Sequence, residues 1–459
     1  MDRFDVCILG AGPAGYHAAV RASQLGARVA LVEEREVGGL CLNRGCIPTK
    51  VLLQSVKLLN EVRRAPEYGL KVEGVEPDFP AMRRRAERIV SRLLTGLGEV
   101  LSSYDIRLIE GRGRPISRRE VEVDGRDGGG GVVGCENLVI ATGSRPVRRW
   151  EVGGLIPDEE AWRLDELPGS LIILGGSPVG VELAYLFNGL GVETTIVERS
   201  PCILPRFDRQ VAARLQRILR TGNIDILTGV EVLGVKGDEG GVIAFLSEGD
   251  TLRADGVVTT ERVGNISGLG LPGLGVETRE GFIVVNERME TSIEGVYAAG
   301  DITGGSSAQE AFLHGIVAAE NIMGIDSTAE RPIPRCVYTD PEAASIGMGE
   351  EEARRRGHSV RVGWFPFSAS GRALSLGEGE GFVKLVVDAE YGEILGVHMI
   401  GPGATELIGG ASLAMILEAT PETLAEAVYP HPSLLEALKE AALSSLGISI
   451  HLQRSRRRV

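Results

Sequence analysis

Short apolar runs alternate with helix-period segments along most of the chain. Phe4–Leu9 (FDVCIL) is short, continuously apolar and closed by glycine, which predicts a buried parallel strand. An Ala-rich helical segment follows, then a second strand over Arg28–Val32 that ends at Glu33. The same order returns later. Ser170–Leu174 (SLIIL) predicts a strand, a helix follows, and the strand Glu193–Val197 ends at Glu198. Between the two copies, Pro80–Ser103 predicts a helix with an Arg-rich, solvated side. Gly111–Gly113 and Gly128–Gly131 predict turns of a β-rich excursion, and Asn137–Ser144 (NLVIATGS) a strand entering a tight turn. Glu277–Asp301 adds strands and closes on GVYAAGD. From about Ile333 the pattern changes to alternating strands (GFVKLVV, EILGVHMI) and Ala/Leu-rich helices. The whole predicts an α/β protein.

A chain of 459 residues exceeds one ordinary core and predicts two to four domains. Its net charge of −14 argues against general binding to nucleic acid or to an anionic membrane surface. The basic run from Arg454 to Arg458 reads as a solvated end. No apolar run of 18 residues occurs, and six cysteines are too few for a secreted disulfide framework. A soluble cytoplasmic enzyme is expected.

Gly10-Ala-Gly12-Pro-Ala-Gly15 lies between the first strand and its helix. The glycines permit a tight turn and bring a pyrophosphate to the helix N-terminus, where Glu33 can hold a ribose 2′-OH. Gly175-Gly-Ser177-Pro-Val-Gly180 repeats this before Glu198. The spacing from first glycine to acid is 23 positions in both copies. Two dinucleotides are expected, or one plus a degenerate copy. Glu198 favours NAD, because a 2′-phosphate about 4 Å from a carboxylate costs about 1–4 kcal/mol. Ser177 replaces the middle glycine, where backbone normally approaches the pyrophosphate.

Gly38–Lys50 (GGLCLNRGCIPTK) places Cys41 and Cys46 five positions apart. In a regular helix they would be separated by about 7.5 Å of rise. A disulfide needs Cα atoms within about 7 Å, so a bridge requires a local departure that Gly45 can supply. Pro48 suits a first helical turn, and Cys46 would then sit at a helix N-terminus that stabilises a thiolate. A structural cysteine pair is the plain alternative; the loop-to-helix setting favours a redox-active disulfide. In Tyr429-Pro-His431-Pro-Ser433-Leu-Leu-Glu436, two prolines keep His431 out of a helix. Ser433 and Glu436 form a capping-box pattern for the helix that follows.

The GGxCxNxGCIPxK stretch resembles the active-site signature of the FAD-dependent pyridine nucleotide–disulfide oxidoreductases, most closely the dihydrolipoamide dehydrogenase branch, from Phe4 to about Leu443. The resemblance implies two Rossmann-like dinucleotide-binding domains, for FAD and NAD, plus a C-terminal α+β dimerisation domain. Their expected spans are 1–145 for FAD, 146–265 for NAD, 266–332 for a central domain completing the FAD site, and 333–459 for the interface. It carries over Gly10, Gly12, Gly15, Glu33, Gly113, Thr142, Gly143, Asp301 and Ala308 to FAD. Gly175, Gly180 and Glu198 go to NAD, and Lys50 and Glu182 to an ion pair near the reacting part of the flavin. Cys41 would be the interchange sulfur and Cys46 the thiolate beside the flavin. His431 would be the acid–base of a partner subunit's disulfide, oriented by Glu436. A homodimer with a shared site is implied, with a lipoyl-bearing protein of a 2-oxoacid dehydrogenase or glycine cleavage system as substrate and no metal. Three stretches depart from the pattern: Ser177, Glu261–Asn265 in place of GRxPN, and Ser306–Gln309 in place of MLAH. They motivate two alternatives, a glutathione-reductase-like enzyme and a weakly active flavoprotein subunit of a multienzyme complex. The last cysteine is Cys336, so no C-terminal redox pair exists.

Overall fold

The computed structural model describes residues 3–126, 128–305 and 307–453. The chain opens with β1 (Arg3–Leu9), α1 (Pro13–Gln24) and β2 (Val29–Glu33). Val6 to Leu9 are buried on both faces of the sheet, as their unbroken apolar run requires. Two helices, α2 (Gly39–Asn43) and α3 (Cys46–Arg63), carry the cysteine loop, and α4 (Phe79–Ser103) packs on α3. The Asp78 carboxylate caps α4 by accepting from the Ala81 N–H. Three strands then follow: β3 (Arg107–Ser117), β4 (Glu120–Gly125) and β5 (Gly130–Ile140). Strand β1 pairs in parallel with β2 and β5, and β2 with β3, while β4 runs antiparallel between β3 and β5.

The chain leaves this sheet through β6 (Ser144–Pro146) and enters a second one. Here β7 (Leu155–Pro157) and β8 (Ser170–Leu174) precede α5 (Pro178–Gly189), β9 (Glu193–Glu198), α6 (Arg209–Thr221) and β10 (Ile224–Thr228). An antiparallel excursion, β11 (Val232–Asp238), β12 (Gly241–Leu246) and β13 (Thr251–Ala254), leads to β14 (Gly256–Thr259). The parallel order is β10-β9-β8-β14-β7. On the way back β15 (Arg262–Gly264) pairs with β6. The short elements α7 (Leu271–Leu274), β16 (Thr278–Arg279) and β17 (Phe282–Ile283) precede β18 (Val296–Ala298). Strand β18 joins the first sheet beside β5, so late residues complete the first nucleotide fold. Then α8 (Ala308–Ile322) packs on α1.

The C-terminal part is an antiparallel sheet, ordered β19-β20-β23-β22-β21. Its chain order is β19 (Arg335–Val337), β20 (Glu342–Gly347), α9 (Glu350–Arg355), β21 (Val360–Pro366), α10 (Gly371–Ser375), β22 (Phe382–Asp388) and β23 (Ile394–Gly401). Helices α11 (Ala404–Ile416), α12 (Pro421–Glu426) and α13 (Glu436–Ser445) follow. Among the described residues no helix is long and apolar enough to cross a membrane.

One local expectation fails. The Glu436 carboxylate accepts from the Ser433 N–H at 2.9 Å, but the Ser433 hydroxyl has no partner and α13 begins only at Glu436. Half of the capping box is formed, because a turn at Leu434–Leu435 separates the serine from the helix.

Candidate active site

Helices α3 and α5 approach so closely that a Cβ on Gly189 would stand 2.3 Å from Val56 Cγ1. That contact lays the helix of the cysteine loop along the helix of the second glycine fingerprint. Lys50 and Glu182 meet across it, with Nζ 2.6 Å from Oε2. Glu182 is buried, and its other oxygen accepts from the Tyr338 N–H at 3.1 Å.

Cys41 lies in α2 and Cys46 is the first residue of α3, with Gly45 between them in a non-helical conformation (φ −115°, ψ −101°). This is the departure from helix geometry that pairing needs. The two stand as free cysteines in hydrogen-bond contact. The Cys41 hydrogen bond and the nearby Lys50 ammonium hold Cys46 below the ordinary thiol range, although burial opposes this. Donating that hydrogen bond, and burial, push Cys41 well above it. Of the two, Cys46 is the more readily deprotonated. Burial works against the Lys50 ammonium, yet Glu182 and Cys46 hold its pKa above the ordinary value.

The pair opens onto a cleft of about 850 Å³. Gly10, Gly12, Glu33, Gly113, Thr142, Gly143, Asp301 and Ala308 line it together with Cys41, Cys46, Lys50 and Glu182. Gly15 stands behind it, where a Cβ would lie 1.7 Å from Gly10 O, so α1 can start hard against the turn. A Cβ on Gly12 would meet only Gly39 Cα at 3.8 Å, leaving the N-terminus of α1 open to a phosphate. The Glu33 carboxylate accepts from Ala11 N–H at 2.6 Å and Arg35 N–H at 2.7 Å. Asp301 is held by the Ser144 hydroxyl at 2.8 Å, and burial raises its pKa against that bond. A cleft lined by a free helix N-terminus and by the cysteine pair fits FAD.

The second fingerprint has the same construction. Glu198 accepts from Gly176 N–H and Ser200 N–H, each at 2.6 Å. Gly175 has φ +107°, and a Cβ on Gly180 would stand 2.0 Å from Gly175 O. Ser177 keeps an ordinary backbone (φ −67°) and turns its hydroxyl onto the Gly180 N–H at 3.4 Å, capping α5. The serine therefore fits the turn without strain. The turn fits a nicotinamide dinucleotide, and Val179 and Glu182 of the helix it opens line the cleft.

His431 and Glu436 do not line the cleft. His431 Nδ1 is 2.9 Å from Glu436 Oε1, and its side chain is 81% exposed. Burial raises the Glu436 pKa, but the Ser433 N–H and His431 outweigh it and hold the carboxylate below its ordinary range. Leu413, Ile416, Leu417 and Val428 of the same region are exposed as well.

Sequence reasoning missed Arg262. Its guanidinium donates to the Ser144 hydroxyl (2.9 Å) and carbonyl (3.0 Å) and pairs with Asp158 (2.7 Å) and Glu159 (3.0 Å). It ties the turn after Thr142 and Gly143 to the second sheet. The Glu261–Asn265 stretch keeps its docking as well. Asn265 Nδ2 donates to Thr142 O at 2.8 Å, while Glu261 pairs with Arg149 at 2.8 Å. Of the third departing stretch, Ser306 lies outside the described residues; Ser307 caps α8 and Gln309 donates to Pro334 O at 2.7 Å.

The family described as pyridine nucleotide-disulphide oxidoreductase matches residues 4–315, and its dimerisation domain matches residues 333–442. A dihydrolipoyl dehydrogenase of Bacillus subtilis is 38% identical, the match covering 98% of this chain and 99% of that one. One of Thermus scotoductus is 40% identical over 98% and 99%. Among solved structures, LpdA from Mycobacterium tuberculosis superposes with a TM-score of 0.89 at 26% identity, covering 96% of this chain and 99% of that one. The flavoprotein disulfide reductase RclA from Escherichia coli gives 0.83 at 28% identity, over 95% and 98%.

Proposed function

The chain belongs to the pyridine nucleotide-disulphide oxidoreductase family, and we propose that within it the protein works as a dihydrolipoyl dehydrogenase. It oxidises a protein-bound dihydrolipoyl dithiol and reduces NAD+. The single observation that carries this reading is the cysteine pair itself: Cys46 at the head of α3 in hydrogen-bond contact with Cys41, both lining the cleft beside Lys50 and Glu182.

In the oxidised protein Cys41 and Cys46 share a disulfide. His431 takes the proton of one substrate thiol, because only the thiolate attacks a disulfide. The substrate sulfur bonds to Cys41 Sγ, the Cys41–Cys46 bond breaks, and Cys46 leaves as the thiolate that Lys50 and the helix N-terminus stabilise. His431 releases that first proton to solvent and takes the proton of the second substrate thiol, whose sulfur attacks the substrate sulfur of the mixed disulfide and expels Cys41. The oxidised product departs, and Cys41 takes a proton from His431. The dithiol now holds the electron pair. FAD, which Gly10, Gly12, Glu33 and Asp301 would hold in the cleft, would supply the two-electron acceptor and hydride donor between this dithiol and NAD+. Lys50, fixed by Glu182, supplies positive charge beside Cys46.

The exposure of His431 and of the apolar residues around it supports a homodimer in which His431 of each subunit serves the cysteine pair of the other. The Glu436 carboxylate orients the imidazole and stabilises its protonated form. The lipoyl group would be presented by a 2-oxoacid dehydrogenase or glycine cleavage system. Glu198 sets this reading against a glutathione-type reductase, which would place a 2′-phosphate beside that carboxylate. The test is steady-state turnover in both chemistries. NADH production from dihydrolipoamide and NAD+ is expected to exceed NADPH-driven reduction of glutathione disulfide by at least about 100-fold, roughly 2.7 kcal/mol. The reverse ranking would overturn the assignment.

A further inference from the structure

The Lys50–Glu182 pair is built by two helices, but a third element grips it. Tyr338 follows β19 at the edge of the C-terminal sheet and touches both members. Its backbone N–H donates to Glu182 Oε1 at 3.1 Å, and its ring lies under Lys50 Nζ, 4.8 Å from the centroid. Glu182 gives its other oxygen to Lys50 at 2.6 Å. One residue of the interface domain therefore fixes the carboxylate from one side and the ammonium from the other. Both contacts come from the backbone and the ring face, and neither uses the hydroxyl.

A cation over an aromatic face is attracted by the ring quadrupole, more strongly where water is partly excluded. Burial and the neighbouring Cys336 push the Tyr338 phenol up to about 12, so the ring is neutral and electron-rich at working pH. The groups facing Lys50 and Cys46 come from several elements. Cys41 faces them from α2, Glu182 from α5, and Cys336 and Tyr338 from the β19 segment, while Asp301 acts on Cys41, Tyr16 interacts with both cysteines, and Glu342 acts on Cys336 and Tyr338. Only the Lys50 ammonium among these is a cation, so its placement sets how far the thiolate is favoured.

We propose that Tyr338 is a positioning residue for the Lys50–Glu182 pair, through which the interface domain sets the charge felt by Cys46. The proposal rests on the redox reading of Cys46, and its test separates the two. The FAD-loaded protein is reduced anaerobically with two electrons per subunit from dithionite, enough to open the disulfide while the flavin stays oxidised, so no dithiol substrate or turnover is involved. The long-wavelength absorbance of a thiolate beside flavin is then titrated with pH. Wild-type protein without that absorbance would overturn the redox reading itself. With it present, Tyr338→Leu is expected to move the midpoint upward by about half to one pH unit, a threefold to tenfold fall in the thiolate-to-thiol ratio at any given pH. Tyr338→Phe, which keeps the ring and the N–H, is expected to titrate with wild type. A Tyr338→Leu midpoint at the wild-type value, or a Tyr338→Phe midpoint displaced as far as that of Tyr338→Leu, would overturn the proposal. If Tyr338→Leu does not fold, a series of fluorinated phenylalanines at 338 keeps shape while weakening the ring face. The midpoint must then rise with fluorination, and a flat series would overturn the proposal.

Discussion

Glu33 and Glu198 make the same pair of hydrogen bonds in the two nucleotide folds. Each carboxylate closes the strand after its glycine turn, accepting one N–H from the residue after the first glycine and one from two positions beyond itself. The chain has built one binding device twice, and each acid stands where a ribose would sit.

This equivalence gives a cofactor-specificity prediction. Glu198→Gln removes the charge that opposes a 2′-phosphate and keeps an acceptor for the turn. It should narrow the NADH-over-NADPH preference by about tenfold, or 1.4 kcal/mol, measured as the ratio of dissociation constants. Glu33→Gln should leave that ratio unchanged and weaken FAD retention instead.

Lys50→Met leaves the buried Glu182 carboxylate without its cation. Breaking a buried pair from one side costs about 3–5 kcal/mol, whereas replacing both partners recovers much of that. Denaturant unfolding of Lys50→Met, Glu182→Gln and the double variant should therefore show strong coupling, the double variant being more stable than Lys50→Met.

His431 and Glu436 act on the substrate proton and not on the flavin. His431→Asn should lower dithiol-linked NADH formation by about 10²- to 10⁴-fold. Oxidation of NADH by ferricyanide, which needs no thiol chemistry, should continue near the wild-type rate. Glu436→Gln should fall between wild type and His431→Asn.

A second buried ion cluster joins the second sheet to the C-terminal one. Lys384, from β22, lies 3.0 Å from Asp208 and 3.2 Å from Glu350, with buried His398 nearby. Burial raises the Asp208 pKa, but His398 and Lys384 outweigh it and hold the carboxyl below its ordinary value. A depressed acid contributes stability above its unfolded pKa, near 3.9, and loses it as pH falls through the folded value. Asp208→Asn should cost about 3 kcal/mol at pH 7 and flatten the loss of stability on the acid side, as thermal unfolding across pH would show.

The repeated strand–glycine–helix–acid order was legible because each device is contiguous within about 25 residues. The cysteine loop, the Lys50–Glu182 pair and the His431–Glu436 pair were legible through the family resemblance, and the structure brings each together. Arg262, Ser144 and Tyr338 were not read as parts of the site. Arg262 lies 118 positions from Ser144, and Tyr338 lies 156 from Glu182, so their roles exist only after three sheets have packed. Ser177 has a local role that its pattern position did not show. It stands where backbone would approach a pyrophosphate, and serine, a preferred N-cap, also caps α5 there.

The central claim is that Cys41 and Cys46 carry electrons from a dithiol to the flavin and on to NAD+. Its most direct test is an anaerobic titration of the FAD-loaded protein, first with dihydrolipoamide and then with NAD+, followed by visible absorbance. The yellow flavin should turn red as the Cys46 thiolate forms beside it, and NAD+ should restore the yellow and yield NADH in proportion. Cys41→Ser should show the red absorbance as isolated, because Cys46 remains, and form no NADH from dithiol. A wild-type flavin that ignores the dithiol, or a Cys41→Ser protein that turns over normally, would contradict the account.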